Sequence, residues 1–240
     1  MELVRSTFND RVSDIDSYFD LVKNIEIAVG SGGANINVNG ASYRIRPEQQ
    51  KIMYSGIYLH LYNLIESTVS QLLEAVERHA SNNINGDVRL LSEDMRKLYV
   101  KSVANPNEAS YNKRLENALE LVEQVLSVRP LSLKIPLGGG GNWDYKEIKK
   151  ISKSIGVNIE LPHTVKSEME RPIRNDKGPL RLIKEVRNDL AHGSLSFTEC
   201  GENHVSRDFE NLINIVKKYL EHVIDSYEDF IESSGYRQAN

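Results

Sequence analysis

Apolar residues recur along much of the chain at spacings of three and four, the signature of helices that bury one face. Phe8, Val12, Ile15, Phe19 and Val22 set the first such stripe, which predicts a helix running to about residue 28. GSGGANINVNGASYRIRP breaks it, and Asn39-Gly40 between two short alternating segments predicts a small β-hairpin near residues 34–46. Pro47 suits the first turn of a second helix, EQQKIMYSGIYLHLYNLIESTVSQLLEAVERHA. Two sets of positions, Ile57, Leu61, Leu64 and Leu72 against Leu59, Tyr62, Val69 and Leu73, cover most of its circumference, so it needs neighbours on both sides.

Shorter stripes predict helices opening at Ser92 and at Glu108, the second ended by Pro130. Residues 129–172 change character: the stretch from Pro130 to Ser167 holds three of the seven prolines, four consecutive glycines and one short helix around Tyr145 to Ser154. This segment is expected to be an insertion projecting from the helical body. A further helix follows over Gly178 to His192, with Pro179 early and Gly193 just after, the order that helix ends prefer. The last, VSRDFENLINIVKKYLEHVIDSYEDFIESS, carries a continuous stripe from Phe209 to Tyr227. The pattern predicts an all-α antiparallel bundle, one domain over residues 1–240, with a Pro/Gly-rich insertion and the small hairpin.

Composition narrows the function classes. At 240 residues and 40% hydrophobic content the chain can bury a core of its own. A net charge of −4 supplies no global field toward nucleic acid or an anionic membrane, so a polyanion partner needs a local patch. The one cysteine, Cys200, excludes an internal disulfide and suits a reducing compartment. No segment approaches the ~20 apolar residues of a membrane span, and the start lacks the form of a signal peptide. A soluble, cytoplasmic protein with no membrane partner is the expectation.

The densest chemistry lies in EVRNDLAHGS, where Arg187, Asn188 and His192 precede Gly193. Helical geometry puts Ile183, Val186 and Leu190 on one face with Arg187 at its edge, and places His192 at the helix C-terminus, whose negative end favours an imidazolium. Ordinary helix-end chemistry accounts for such residues too: an arginine paired with a carboxylate, an Asn188–His192 surface contact, a histidine capping free carbonyls. From Lys166 to Arg187 seven bases stand against four acids, a net of +3 that leaves −7 for the rest. Lys177, Arg181 and Lys184 within that strip are candidate phosphate contacts, although charge runs are commonly solvated faces.

VRNDLAHGSLSF resembles the R-N-x-x-x-H motif of the HEPN superfamily, with Arg187 and His192 as its arginine and histidine and Asn188 directly after the arginine. YLHLYNLIEST, with Asn63 and Glu66, resembles the polar-residue helix of the bacterial branch found near defence and toxin loci, and GNWDYKEIKKISKSIGV resembles a segment of the same branch. The resemblance covers most of the chain. It implies a metal-independent endoribonuclease, active as a homodimer and regulated by an antitoxin or a larger defence complex.

Chemistry alone reaches a compatible requirement. Cleavage by the RNA's own 2′-hydroxyl needs a base, an acid for the departing 5′-oxygen, and cations for the charge on phosphorus. A two-fold dimer would pool two histidines and two arginines. The expected catalytic set is His192 as general acid/base, Arg187 as phosphate binder, Asn188 as orienting donor and Glu66 as a partner for Arg187 or His192. Lys184, Arg181, Lys177 and Asn63 are the expected substrate contacts, with no metal and no cofactor. The rivals are a non-catalytic HEPN-like module that dimerises or binds a partner protein, and a nucleotide-sensing regulator.

Other signals carry less. GGGGNW at 138–143 lacks the Gly-Lys-Ser/Thr ending of a phosphate-binding loop. His60, His79, His163, His204 and His222 show no metal-ligand spacing. Trp143 and Tyr145, with Lys146, Lys149 and Lys150, suit either a base-stacking arm or, preferably for Trp143, the docking of the insertion onto the bundle.

Overall fold

The computed structural model describes residues 1–104, 110–127, 133–135 and 142–238. Helix α1 (Glu2–Gly30) buries Val4, Phe8, Ile15, Phe19, Val22 and Ile25 on one stripe, as its sequence spacing requires. Strands β1 (Asn35–Val38) and β2 (Ala41–Arg44) pair antiparallel with Val38 opposite Ala41. Asn39 and Gly40 both take positive φ, 49° and 80°, which matches the two-residue turn that the right-handed strand twist favours. Every strand residue is exposed, so the hairpin sits outside the core.

Helix α2 (Pro47–Asn83) is the axis of the molecule, with Pro47 in its first turn. Tyr54, Ile57, Tyr58, Leu61, Tyr62, Leu64, Ile65 and Val69 are all buried, and α2 packs against α1, α7 (Pro179–His192), α8 (Phe197–Cys200) and α9 (Ser206–Glu232). That is the physical sense of a stripe wrapping most of the helix: apolar side chains round the circumference need neighbours round the circumference. Helix α9 closes the bundle with Phe209, Ile213, Val216, Leu220, Val223 and Tyr227 buried. Between these, α3 (Glu93–Ala104) and α4 (Tyr111–Ser127) pack on each other. The predicted start of the α4 helix at Glu108, its end at Pro130 and the four-glycine run lie outside the described residues.

The segment expected to project does not do so where it is described. Leu133, Ile135, Trp143, Ile148, Ile155, Val157, Val165 and Met169 are all buried and belong to the same apolar core as α2 and α9. The Ile135 amide donates to the Glu77 carboxylate on α2. Two helices occur here, α5 (Tyr145–Ile155) and α6 (His163–Glu170), where the sequence predicted one. α6 offers only Val165 and Met169 to the core, a pair of positions too sparse to register as a period. One core thus runs from Val4 to Tyr236. The fold is all-α but for the two-stranded hairpin, and among the described residues no helix is long and apolar enough to cross a membrane.

Candidate functional site

Helix α7 positions the site. It is preceded by its N-cap, Gly178, where an added Cβ would lie 2.8 Å from the Met169 carbonyl oxygen, so the helix starts in close contact with the end of α6. It ends at His192 because Gly193 takes φ 72°, ψ 13°, a left-handed cap that glycine adopts at little cost. Leu180, Leu182, Ile183 and Leu190 are buried, with Arg187 half-buried at the margin of that face.

The Arg187 guanidinium lies over the ring of Tyr62 on α2, its central carbon 4.4 Å from the ring centroid. Stacking on a buried aromatic face holds the planar fork without neutralising it. Arg187 Nη1 donates to Asn188 Oδ1 at 2.9 Å, and Asn188 Nδ2 donates to Asn142 Oδ1 at 3.1 Å. A chain of polar contacts therefore runs from the segment before α5 through Asn188 to the arginine. No ion pair forms between Arg187 and a carboxylate among the described residues.

Tyr62 is fully buried, and burial pushes its hydroxyl above the usual tyrosine range; the Glu66 carboxylate adds to that, while Arg187 and a backbone hydrogen bond from Trp143 act against it. The phenol stays neutral and offers a ring face. Glu66 itself is half-buried and close enough to Tyr62 to be felt there, but no hydrogen bond or ion pair joins it to Arg187 or His192 among the described residues. The groups in contact with Arg187 are Asn188 and Tyr62. Asn63, next to Tyr62 on α2, is exposed, and its side chain makes no hydrogen bond among the described residues.

His192 is exposed. The turn behind it is fixed: the Leu195 amide and the Ser194 hydroxyl both donate to the Asp189 carbonyl at 3.2 Å. The Asn188–His192 contact considered from spacing does not form, since Asn188 is committed to Arg187 and Asn142. Five residues on a helix separate Arg187 from His192 by about 140° and a rise of roughly 7.5 Å. One chain consequently presents one solvent-facing imidazole and one stacked guanidinium on different sides of the helix end.

The cations expected to contact substrate are occupied. Lys184 pairs with Asp144, both side chains largely buried. Asp144 also caps α5, accepting from the Lys146 and Glu147 amides at 3.0 Å each. Burial pushes this carboxyl up, but Lys184 and the two amides outweigh that and hold it below the usual aspartate range. Lys177 and Arg181 both pair with Glu185, Arg181 at 2.7 Å, and together they hold its carboxyl below the usual glutamate range. Of the seven cations in the +3 strip, Lys177, Arg181 and Lys184 are thus matched by carboxylates, while Lys166, Arg171, Arg174 and Arg187 make no ion pair among the described residues.

Sequence reasoning missed Tyr62, which counted as one more apolar position, and Asn142 and Asp144. Asp144 was recoverable: Asp-x-x-Glu ahead of a helix is a capping signature. Among the described residues no three His, Cys, Asp or Glu side chains group as they would around a metal ion.

Comparison with known proteins adds one finding to this geometry. No curated protein and no solved structure matches the chain. The family described as HEPN_MAE_28990-like HEPN matches residues 2–236, essentially the whole helical body, and the chain belongs to that family.

Proposed function

We propose that the protein is a metal-independent endoribonuclease whose active site is composite, formed where two copies of the C-terminal end of α7 meet. The observation that carries this reading is the state of Arg187: half-buried, stacked on Tyr62, oriented by Asn188 and free of any carboxylate among the described residues. A structural arginine in such a place normally takes an acid. One without an acid keeps the N–H donors not given to Asn188 for a phosphodiester.

In the proposed reaction one His192 takes the proton from a ribose 2′-hydroxyl as that oxygen attacks phosphorus. The other His192 returns a proton to the departing 5′-oxygen, leaving a 2′,3′-cyclic phosphate. The two guanidinium groups stabilise the charge that develops on the phosphoryl oxygens. A single chain lacks the second imidazole, so pairing of subunits is part of the chemistry. A role as the effector of a bacterial defence or toxin–antitoxin system, held by a protein partner, fits this activity.

The test is cleavage of RNA by purified protein in EDTA, with end-group analysis for 2′,3′-cyclic phosphate. Arg187→Ala and His192→Ala are each expected to abolish cutting while the fold is retained. Cutting that persists in both variants ends the assignment.

A second reading, a module that pairs with another protein, has one observation in its favour. Leu115, Leu119, Val122 and Leu126 follow each other on α4 at spacings of four, three and four, and are 52%, 57%, 53% and 78% exposed. An apolar seam of that period is what a partner helix covers. Loss of partner binding on Leu119→Glu, with no RNA cleavage by the parent, selects this reading.

A further inference from the structure

Helix α5 buries Ile148, Ser152 and Ile155 and turns its other face outward. On that face Lys146, Lys149, Lys150 and Lys153 recur at spacings of three, one and three, all exposed. Lys150 sits 3.4 Å from Glu147, whereas Lys146, Lys149 and Lys153 make no ion pair among the described residues. This is the reverse of the first half of α7, where Lys184 is matched by Asp144 and Arg181 by Glu185.

The ridge borders a cleft of about 650 Å³ between α5 and α6, into which Lys149, Lys153 and, from α6, Lys166 project. Lys166 is exposed and likewise has no ion-pair partner among the described residues. Asp94 is the acid on this cleft, and it already lies 3.8 Å from Lys97. Half-buried Tyr145 gives the wall an aromatic face and packs edge-on against the buried Tyr219, ring centroids 5.7 Å apart. The Tyr219 hydroxyl is buried without a hydrogen-bond partner, unusual for a phenol in a well-packed interior.

A second hollow, about 620 Å³, shares Tyr145 and Lys149 with the first and extends to Lys184 on α7, one helical turn before Arg187. Asp144, Glu170, Asp176 and Glu185 border it, so the positive character is concentrated in the first cleft. The two hollows meet at Tyr145 and Lys149, and the second ends at Lys184 and Glu185 on α7, on the approach to Arg187. Three unmatched ammonium groups around an open, partly aromatic cleft suit a chain of phosphates with bases alongside.

We infer that the α5–α6 cleft, through Lys149, Lys153 and Lys166, holds the phosphate backbone of single-stranded RNA and leads it toward Arg187, an assignment that rests on the reading of the protein as an RNA-cleaving enzyme. The cleft belongs to one subunit and is separate from the composite centre. It binds, and α7 cuts.

The experiment is fluorescence anisotropy with a labelled single-stranded 2′-O-methyl RNA, which has no attacking hydroxyl and cannot be cleaved this way, titrated with full-length protein across a salt series. Parent protein is compared with the triple variant Lys149→Gln, Lys153→Gln, Lys166→Gln, whose fold is checked by circular dichroism. The expected loss is at least about tenfold in affinity at low salt, with the slope of log affinity against log salt reduced by about 2, roughly 0.7 for each of three lost phosphate contacts. A triple variant that binds with the parent's affinity and slope overturns the inference. So does a parent that binds polyglutamate as tightly as RNA of equal charge, or one in which the lysines matter for free tripolyphosphate but not for RNA. The two readings fail separately: a parent that cuts no RNA yet binds it through these lysines loses the nuclease assignment and keeps the cleft, while one that cuts RNA and is indifferent to the triple change loses the cleft.

Discussion

The two ends of α7 treat their positive charges in opposite ways. Toward its start, Lys177, Arg181 and Lys184 are each matched to Asp144 or Glu185, and Asp144 is also the cap of a neighbouring helix. Toward its end, Arg187 rests on an uncharged ring and His192 stands in solvent. The lesson is that a cation's partner, and not its position in a basic run, separates one that holds the fold from one that can meet a ligand. A carboxylate uses up the charge; an aromatic face fixes its direction and leaves the charge available.

The sharpest way to break this contrast is to remove the available pair. Arg187→Ala or His192→Ala is expected to lower RNA cleavage by at least about 100-fold, in line with the loss of one transition-state contact, with circular dichroism and gel filtration unchanged. Arg187→Lys keeps the charge without the planar fork and is expected to recover little of the rate, since the stack and the Asn188 bond both need the guanidinium.

Tyr62 separates direction from charge. Tyr62→Phe keeps the ring face and is expected to retain most of the rate, whereas Tyr62→Leu releases the guanidinium and lowers cleavage about tenfold, an effect on kcat rather than on RNA affinity. Measuring both variants at a temperature well below their unfolding midpoints isolates the positioning effect. Equal rates for Phe and Leu would mean that the stack does nothing for catalysis.

At the other end of α7 the expected damage is to stability. Asp144→Asn breaks a largely buried pair and weakens the α5 cap, a cost of about 1–3 kcal/mol visible in urea or thermal unfolding. Its carboxyl is held below the ordinary range in the fold, so its contribution is complete above the unfolded-state value and disappears as pH falls through the folded one. The parent should therefore lose stability on acidification more steeply than Asp144→Asn. The smallest effect belongs to Glu185→Gln, which frees Lys177 and Arg181 at the surface: the melting temperature barely moves and RNA affinity rises slightly at low salt.

How far these features can be read from the chain depends on how local their causes are. α1, α2, α7 and α9 follow from stripes of three and four, and the hairpin from Asn39-Gly40, because those causes lie within a few residues of their effects. The seating of residues 142–170 is different. The glycines and prolines of 129–172 read as an excursion, while what decides the place of 142–170 is the burial of Trp143, Ile148 and Met169 against helices distant in sequence. The same division runs through the site. Arg187, Asn188 and His192 are visible as a motif, and the Arg181–Glu185 pair is visible as i, i+4 spacing. Tyr62 beneath Arg187 and Asp144 beside Lys184 are not, since each meets its partner only once the bundle has formed.

Trp143 gives the molecule a gauge of its own. It is the sole tryptophan of the chain, 1% exposed, in the short run that also carries Asn142 and Asp144 against α7. Emission excited at the red edge of the indole band, where the eleven tyrosines do not absorb, therefore reports on one place, beside the arginine, with no labelling. A red shift on adding nucleic acid would signal that the run has lifted from its seat, and a constant blue-edge spectrum that it stays sealed while the strand passes.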